Sequence, residues 1–158
     1  MEKPTYNQQG KPSRERDWKA NPNWVTDPKG LPPEAIDFAE DFGKHLASPF
    51  WNEKAQKVTV GRNAMTTTQL RNFFGELRRI QAMGFEGNET DFYMLKPKLA
   101  YTCARELKNK KDNRIGDFEK ALRPLIEAVA KSGKAKSFSN FTKFVEAIVA
   151  FHKYHGGE

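Results

Sequence analysis

Four side chains suited to binding a phosphate backbone recur along one predicted helix. Lys98, Tyr101, Arg105 and Lys108 follow one another at intervals of three, four and three residues, which places them on one helical face. Cationic side chains neutralise phosphates, and an exposed ring offers a surface on which a base can stack. The spacing indicates a face for single-stranded nucleic acid, and it is equally compatible with a solvated charged face.

A second group of cations lies on the preceding predicted helix. Arg71, Arg78 and Arg79 are opposite its apolar side, and Gly75 lies between them. Because glycine has no side chain, another chain can approach the backbone closely there. The residues alone again leave open a binding site or a solvated face. Further basic residues lie in two predicted loops: Lys110, Lys111 and Arg114 in the first, and Lys131, Lys134 and Lys136 in the second.

Carboxylates crowd the start of another predicted helix. Glu34, Asp37, Glu40 and Asp41 suggest either a metal or acid–base site, or a solvated face near the positive end of the helix dipole. No histidine accompanies them at the spacing of metal ligands. The solvated face is the favoured interpretation.

The remaining reactive side chains are predicted to be structural. His152 lies within the apolar arc of the last helix, which favours a hydrogen-bonded core histidine over a metal site shared with His155. Cys103 shares an apolar side with Leu95 and Leu99, which favours a packed thiol. The chain contains no phosphate-binding loop, zinc-protease motif or nucleophile elbow. We therefore predict no catalytic residue, no metal and no cofactor.

Five stretches of helical periodicity are expected to position these groups. Pro33 suits a first helical turn, Thr66 and Gln69 form a capping-box pattern, and Gly133 is placed to end a helix. Pro97 predicts either a kink or a fresh first turn. The predicted helices span 34–48, 67–83, 91–108, 117–132 and 140–155.

Apolar stripes on the first and last helices predict the core. The C-terminal helix is expected to begin at a cap, Ser139 or Asn140. The first stripe contains Ile36, Ala39, Phe42 and Leu46, and the last contains Phe141, Phe144, Val145, Ile148, Val149, Phe151 and His152.

The chain before residue 34 differs in composition from the rest. Six of the nine prolines lie in residues 1–33, and proline disrupts both helices and strand ladders. We predict an extended or disordered tail, with residues 34–158 as one helical bundle domain. Trp18 and Trp24 are unusual in a solvating tail and suggest docking as an equal alternative. Between the first two helices, Val58–Val60 is a candidate short strand and Trp51 a candidate anchor.

Composition supports one all-α domain. A chain of 158 residues with 12 phenylalanines favours helices packed through large rings. The net charge of +7 favours an acidic partner such as nucleic acid. One cysteine excludes an internal disulfide, and no apolar stretch approaches the roughly 20 residues of a membrane span. We expect a soluble, cytoplasmic protein.

Three stretches together resemble the small helical subunit of type III-A CRISPR (Csm) effector complexes. They read MTTTQLRN at 65–72, MLKPKLAY at 94–101 followed by Arg105, and FVEAIVAFHKYHGG at 144–157. The resemblance extends over residues 66–157. Thr102, Cys103 and Ala104 depart from it, and so does the proline-rich N-terminus.

The resemblance implies a non-catalytic subunit that binds RNA for antiviral interference. It implies several copies along the guide and target RNA, in contact with the backbone subunit, the large subunit and other copies of itself. It also implies that the motif-matching basic and aromatic residues face RNA: Arg71, Arg78, Arg79, Lys96, Lys98, Tyr101 and Arg105.

Two other classes of protein are considered: a DNA-binding regulator, which would also be small, helical and basic, and an enzyme. A helix-turn-helix DNA-binding regulator requires two short consecutive helices with a tight turn, and this pattern is not found. A metal-dependent nuclease requires converging carboxylates with histidine or lysine around an ion. Single-stranded RNA versus duplex DNA binding tests the first class, and chelator-sensitive nuclease activity tests the second.

Overall fold

The computed structural model describes residues 17–61, 63–108 and 114–156. The described chain is mainly helical, with one small hairpin. Its elements are α1 (Asn23–Thr26), α2 (Pro33–Ala47), β1 (Phe50–Asn52), β2 (Lys57–Thr59), α3 (Thr67–Met83), α4 (Glu89–Tyr93), α5 (Leu95–Leu107), α6 (Ile115–Ser132) and α7 (Ala135–Tyr154).

The predicted all-α class is confirmed, whereas the predicted count of five helices is wrong. The described residues form seven helices, because α1 lies in the predicted tail and the predicted helix 91–108 divides into α4 and α5 at Met94. Pro97 lies in the first turn of α5, so it follows a fresh start, as the first-turn alternative required.

Local sequence signals predicted several helix ends correctly. The Thr66 hydroxyl accepts the Gln69 amide at 3.1 Å, and the Gln69 side chain accepts the Thr66 amide at 2.9 Å. This confirms the capping box. Pro33 is the first residue of α2, and Gly133 ends α6 in the left-handed conformation at φ 65°. Ser139 and Asn140 do not cap α7, because that helix already begins at Ala135.

The hairpin is antiparallel and short. Phe50 pairs with Thr59, Trp51 with Val58, and Asn52 with Lys57. The candidate strand Val58–Val60 is thus found one residue earlier, at Lys57–Thr59. Gly156 packs against this hairpin, where a Cβ would lie 3.4 Å from a Val58 methyl carbon.

The core centres on the crossing of α2 and α7. At Gly43 a Cβ would lie 2.8 Å from the Phe151 Cβ and 2.9 Å from the His152 amide nitrogen, so the crossing depends on glycine at this position. Phe42 and Phe144 are fully buried. Ile36, predicted in the apolar stripe, is instead 38% exposed, and Phe38 packs in the core.

The segment before α2 packs on this core. The Trp18 ring lies 5.2 Å from the Phe42 ring and 4.7 Å from the His45 ring, measured between centroids. Trp24 is buried, and its indole nitrogen donates to Glu34 at 3.1 Å. The docking alternative therefore describes residues 17–33. Residues 1–16 lie outside the described residues, and the domain boundary at residue 33 stays a prediction.

Polar side chains tie this segment to the helices. The Asn140 amide group donates to the Val25 and Asp27 carbonyls at 3.0 and 2.9 Å. His45 and Asp117 pair at 2.6 Å between α2 and α6, and this hydrogen bond lowers the pKa of Asp117. Hydrogen bonds therefore join the N-terminal segment to α7 and join α2 to α6.

His152 is a core histidine, as predicted. It is 2% exposed, and its Nε2 lies 2.8 Å from the Met65 carbonyl oxygen. Burial lowers the pKa of His152. Cys103 is also buried, and burial raises the pKa of its thiol. In the described ranges, no helix combines the length and apolar character needed to cross a membrane.

Candidate nucleic-acid interface

Helix α5 has one buried and one exposed side. Leu95, Leu99 and Cys103 are buried, while Tyr101 is 68% exposed. Lys98 and Arg105 are also exposed. The fold therefore uses the apolar side of α5 for packing and leaves the basic and aromatic side in solvent.

A carboxylate on α3 joins this side of α5 to the neighbouring helix. Glu76 lies 3.1 Å from the Arg79 guanidinium and 3.5 Å from the Lys98 ammonium. The hydrogen bond from Arg79 and the charge of Lys98 lower the pKa of Glu76. Arg79, Lys98, Tyr101 and Arg105 constitute what we call the α3–α5 face.

The far end of this face combines an aromatic ring with a cation. The Arg105 guanidinium carbon lies 5.9 Å from the centre of the Tyr101 ring, within the range of a cation–π contact. Arg105 also lies 3.6 Å from Glu106. Lys108, the residue that ends α5, is exposed three residues after Arg105.

Three predicted RNA-facing residues are not joined to this face by any described contact. Lys96 pairs at 2.8 Å with Glu127 on α6. Arg78 lies over the Phe74 ring, 5.7 Å from its centre. Arg71 borders a cavity of about 70 Å³ between α3 and α7. The sequence prediction therefore grouped as one RNA-facing set several cations that lie in different surroundings in the folded protein.

Two charged residues near the predicted site were not identified from the sequence. Glu76 was recognisable as an ion-pair partner of Arg79 three residues later, but its contact with Lys98 required the packing of α3 against α5. Lys153 lines the cavity beside Arg71. Only the tertiary arrangement of α3 and α7 brings these two cations to one cavity.

The described residues contain no group of three or more histidine, cysteine, aspartate or glutamate side chains placed to hold a metal ion. The acidic residues at the start of α2 are thus not gathered into such a group. Among them, the Glu34 carboxylate accepts the Trp24 indole hydrogen bond. Its role in the structure is to hold the N-terminal segment.

Fold and surface define a small α-helical protein that presents basic and aromatic side chains to solvent. The model of the family Csm2 Type III-A matches residues 51–158, more than half of the chain, so the chain belongs to this family. It is a small subunit of the type III-A CRISPR Csm complex. No solved structure matches the chain significantly.

Family membership sets the general role of the protein. Csm2 is a structural small-subunit family, generally non-catalytic, and no enzyme family is indicated. The other subunits of the Csm effector complex are its partners. The match begins at residue 51, so α1, α2 and the rings of Trp18 and Trp24 lie before it.

Proposed function

We propose that this chain is a non-catalytic RNA-binding subunit that holds target RNA through the α3–α5 face. The observation that carries the proposal is the exposed row of Lys98, Tyr101 and Arg105 on the side of α5 opposite its core residues. Several copies would line the guide and target RNA, each contributing the same face. Pairing with the guide supplies the sequence specificity.

The ion pairs on this face are compatible with RNA binding. Glu76, Arg79 and Lys98 are all partly exposed, and exposed ion pairs typically contribute only about 0–1 kcal/mol. A phosphate can therefore replace Glu76 as the partner of Lys98 at little cost. Because lysine and arginine contact the backbone here, binding should not depend on base sequence.

The first test measures salt dependence in the assembled complex. Each neutralised phosphate on a single strand contributes about 0.7 to the slope of log affinity against log salt concentration. Replacing both Lys98 and Arg105 with Ala should flatten the slope for target RNA by about 1.4 per copy in contact. The matched control replaces Lys54 and Lys143, which are exposed outside this face, and should leave the slope unchanged.

Tyr101 tests the stacking component separately. If a base stacks on its ring, Tyr101→Ala should weaken binding by about 1–3 kcal/mol with nearly the same salt slope, since no charge is lost. Circular dichroism establishes that each variant folds. A Lys98/Arg105 variant that assembles normally and binds target RNA with the wild-type slope would assign this face to solvent or to subunit contacts.

The non-catalytic role has its own test. We expect the purified protein to cleave neither RNA nor DNA in Mg²⁺, in Mn²⁺ or in a chelator. Cleavage that is abolished by a substitution in this chain would instead support the metal-dependent nuclease. Tighter binding to duplex DNA than to single-stranded RNA would support a DNA-binding regulator.

A further inference from the structure

We propose that a second surface, formed by Lys29, Lys131, Lys134 and Lys136, binds the sugar–phosphate backbone of RNA in the assembled complex. We call these four residues the lysine surface. It extends the proposed RNA-binding function to elements that carry none of the α3–α5 face. Lys29 lies between α1 and α2, and the other three surround the turn between α6 and α7.

Tertiary packing brings these lysines together from distant parts of the sequence. A Cβ placed on Gly30 would lie 3.9 Å from the Lys136 ammonium nitrogen, so this side chain reaches the loop that carries Lys29. Ala128, Lys131 and Ser132 of α6 line a cavity of about 360 Å³ whose other wall is formed by Pro22, Asn23 and Thr26. The N-terminal segment and the end of α6 thus build one continuous surface.

The charge of this surface is largely uncompensated. All four lysines are exposed, and none of their ammonium groups takes part in an ion pair within the described ranges. The first turn of α7 contains no acidic residue. The Asp27 carboxylate lies beside them, since it accepts the Lys29 backbone amide hydrogen at 2.9 Å. Four lysines and this one carboxylate carry a local charge of about +3 for a polyanion to neutralise.

The composition favours nucleic acid over a protein partner. Lysine is depleted in protein–protein interfaces, which are anchored by large apolar and aromatic side chains. The cavity is lined by Pro22 and Ala128 together with Asn23, Thr26, Ser132 and Lys131, and none of these is a large apolar or aromatic anchor. The hydroxyl of the partly exposed Tyr93 ring donates to the Ala130 carbonyl on α6 at 3.1 Å. Phosphates, which need only flexible point charges, suit a surface of four exposed lysines, one of which lines this cavity.

This surface depends on a part of the chain outside the family match. Pro22, Asn23, Thr26 and Lys29 all precede residue 51, where the match begins. Without the N-terminal segment, Lys131, Lys134 and Lys136 would retain their charges but lose one wall of the cavity. The docked segment therefore adds an RNA contact to the helices that it covers.

The test uses the full-length chain in the assembled complex with its guide and a target RNA. Lys29, Lys131, Lys134 and Lys136 are replaced together with Ala, and the control is the Lys54/Lys143 double variant. If target RNA is the ligand, the salt slope should fall by about 0.7 per lost contact, up to about 2.8 per copy. If guide RNA is the ligand, the amount of guide that copurifies should fall several-fold, with the target slope unchanged.

A second measurement keeps the proposal testable when the quadruple variant fails to assemble. The photoreactive residue p-benzoylphenylalanine replaces Lys131 alone, and the assembled complex is irradiated. Crosslinks to guide or target RNA support the proposal. Crosslinks to protein subunits only, or a quadruple variant with wild-type salt slope and guide content, would overturn it. Because the Lys98/Arg105 variant is measured in parallel, failure of the α3–α5 face and failure of the lysine surface are distinguishable.

Discussion

The α2–α7 crossing and the α3–α5 face use similar side chains in opposite ways. At the crossing, Phe42 and Phe144 are fully buried and His152 is bound to a backbone carbonyl. On the face, Tyr101 is 68% exposed, and the cations form only surface ion pairs. Buried rings and a buried histidine thus serve stability in one region, whereas an exposed ring and positive charges remain available to a partner in the other.

The contrast shows where substitutions should affect folding and where they should affect binding. Burial makes each methylene and each hydrogen bond at the crossing contribute to the free energy of unfolding. Exposed residues away from caps and cores change this free energy by about 0.5 kcal/mol or less. The comparison can be tested with paired variants, one from each region.

The largest expected effect is the removal of a buried ring. Phe42 lies 5.2 Å from Trp18 and 5.5 Å from Phe38, between ring centroids. Phe42→Ala should lower the free energy of unfolding by about 3–5 kcal/mol, measured by urea denaturation. Tyr101→Ala, its partner on the α3–α5 face, should change it by no more than about 0.5 kcal/mol. Equal losses of unfolding free energy in the two variants would contradict the distinction between a stabilising crossing and a binding face.

The next effect concerns two helical glycines that differ only in their surroundings. Gly43→Ala places a methyl group 2.8 Å from the Phe151 Cβ and should destabilise the protein by about 1–3 kcal/mol. Gly75 has no atom within 4 Å of the same position, so Gly75→Ala should stabilise α3 by about 0.5–1 kcal/mol. Thermal denaturation of both variants measures the difference. A stable Gly43→Ala protein would show that α2 and α7 can separate slightly.

His152 should make the stability of the crossing depend on pH. Burial lowers the pKa of His152 in the folded protein, so the unfolded chain binds more protons once pH falls below about 6.5, the ordinary histidine pKa. Stability is therefore complete above that pH and declines as the pH falls below it.

His152→Gln, which retains a donor for the Met65 carbonyl, should weaken this decline. His155 contributes in the same direction, since burial lowers its pKa as well, so part of the decline should remain. Urea denaturation at pH 7.5 and pH 5.5 provides the measurement. An identical decline in wild type and variant would remove His152 as the cause.

The smallest effect is expected for the carboxylate on the face. Glu76→Gln removes the ion pairs with Arg79 and Lys98, and exposed pairs contribute about 0–1 kcal/mol. The free energy of unfolding should therefore change by less than about 1 kcal/mol. Affinity for target RNA should rise, because Arg79 and Lys98 lose an anion that competes with phosphate. A loss of stability above about 2 kcal/mol would indicate that Glu76 belongs to the structural region.

Local chemistry explains which parts of the fold were predictable. The capping box at Thr66 and Gln69, Gly133 and the predicted span 67–83 depend on neighbours in sequence, and each is found in the structure. The early start of α7 was missed, because no side chain caps it, and the break at Met94 was predicted only as one of two alternatives at Pro97. Ile36 was placed in the core by its apolar type, although the helix directs it outward.

The helical class, the buried role of His152 and the row of Lys98, Tyr101 and Arg105 were predictable from residue spacing, because spacing along one helix decides these features. Helix packing was needed to bring Trp18 and Trp24 into the core, Glu76 to Lys98, and the Lys136 side chain to Gly30. Each of these contacts joins residues from separate elements. Such contacts follow from how helices pack, and no local periodicity encodes the packing.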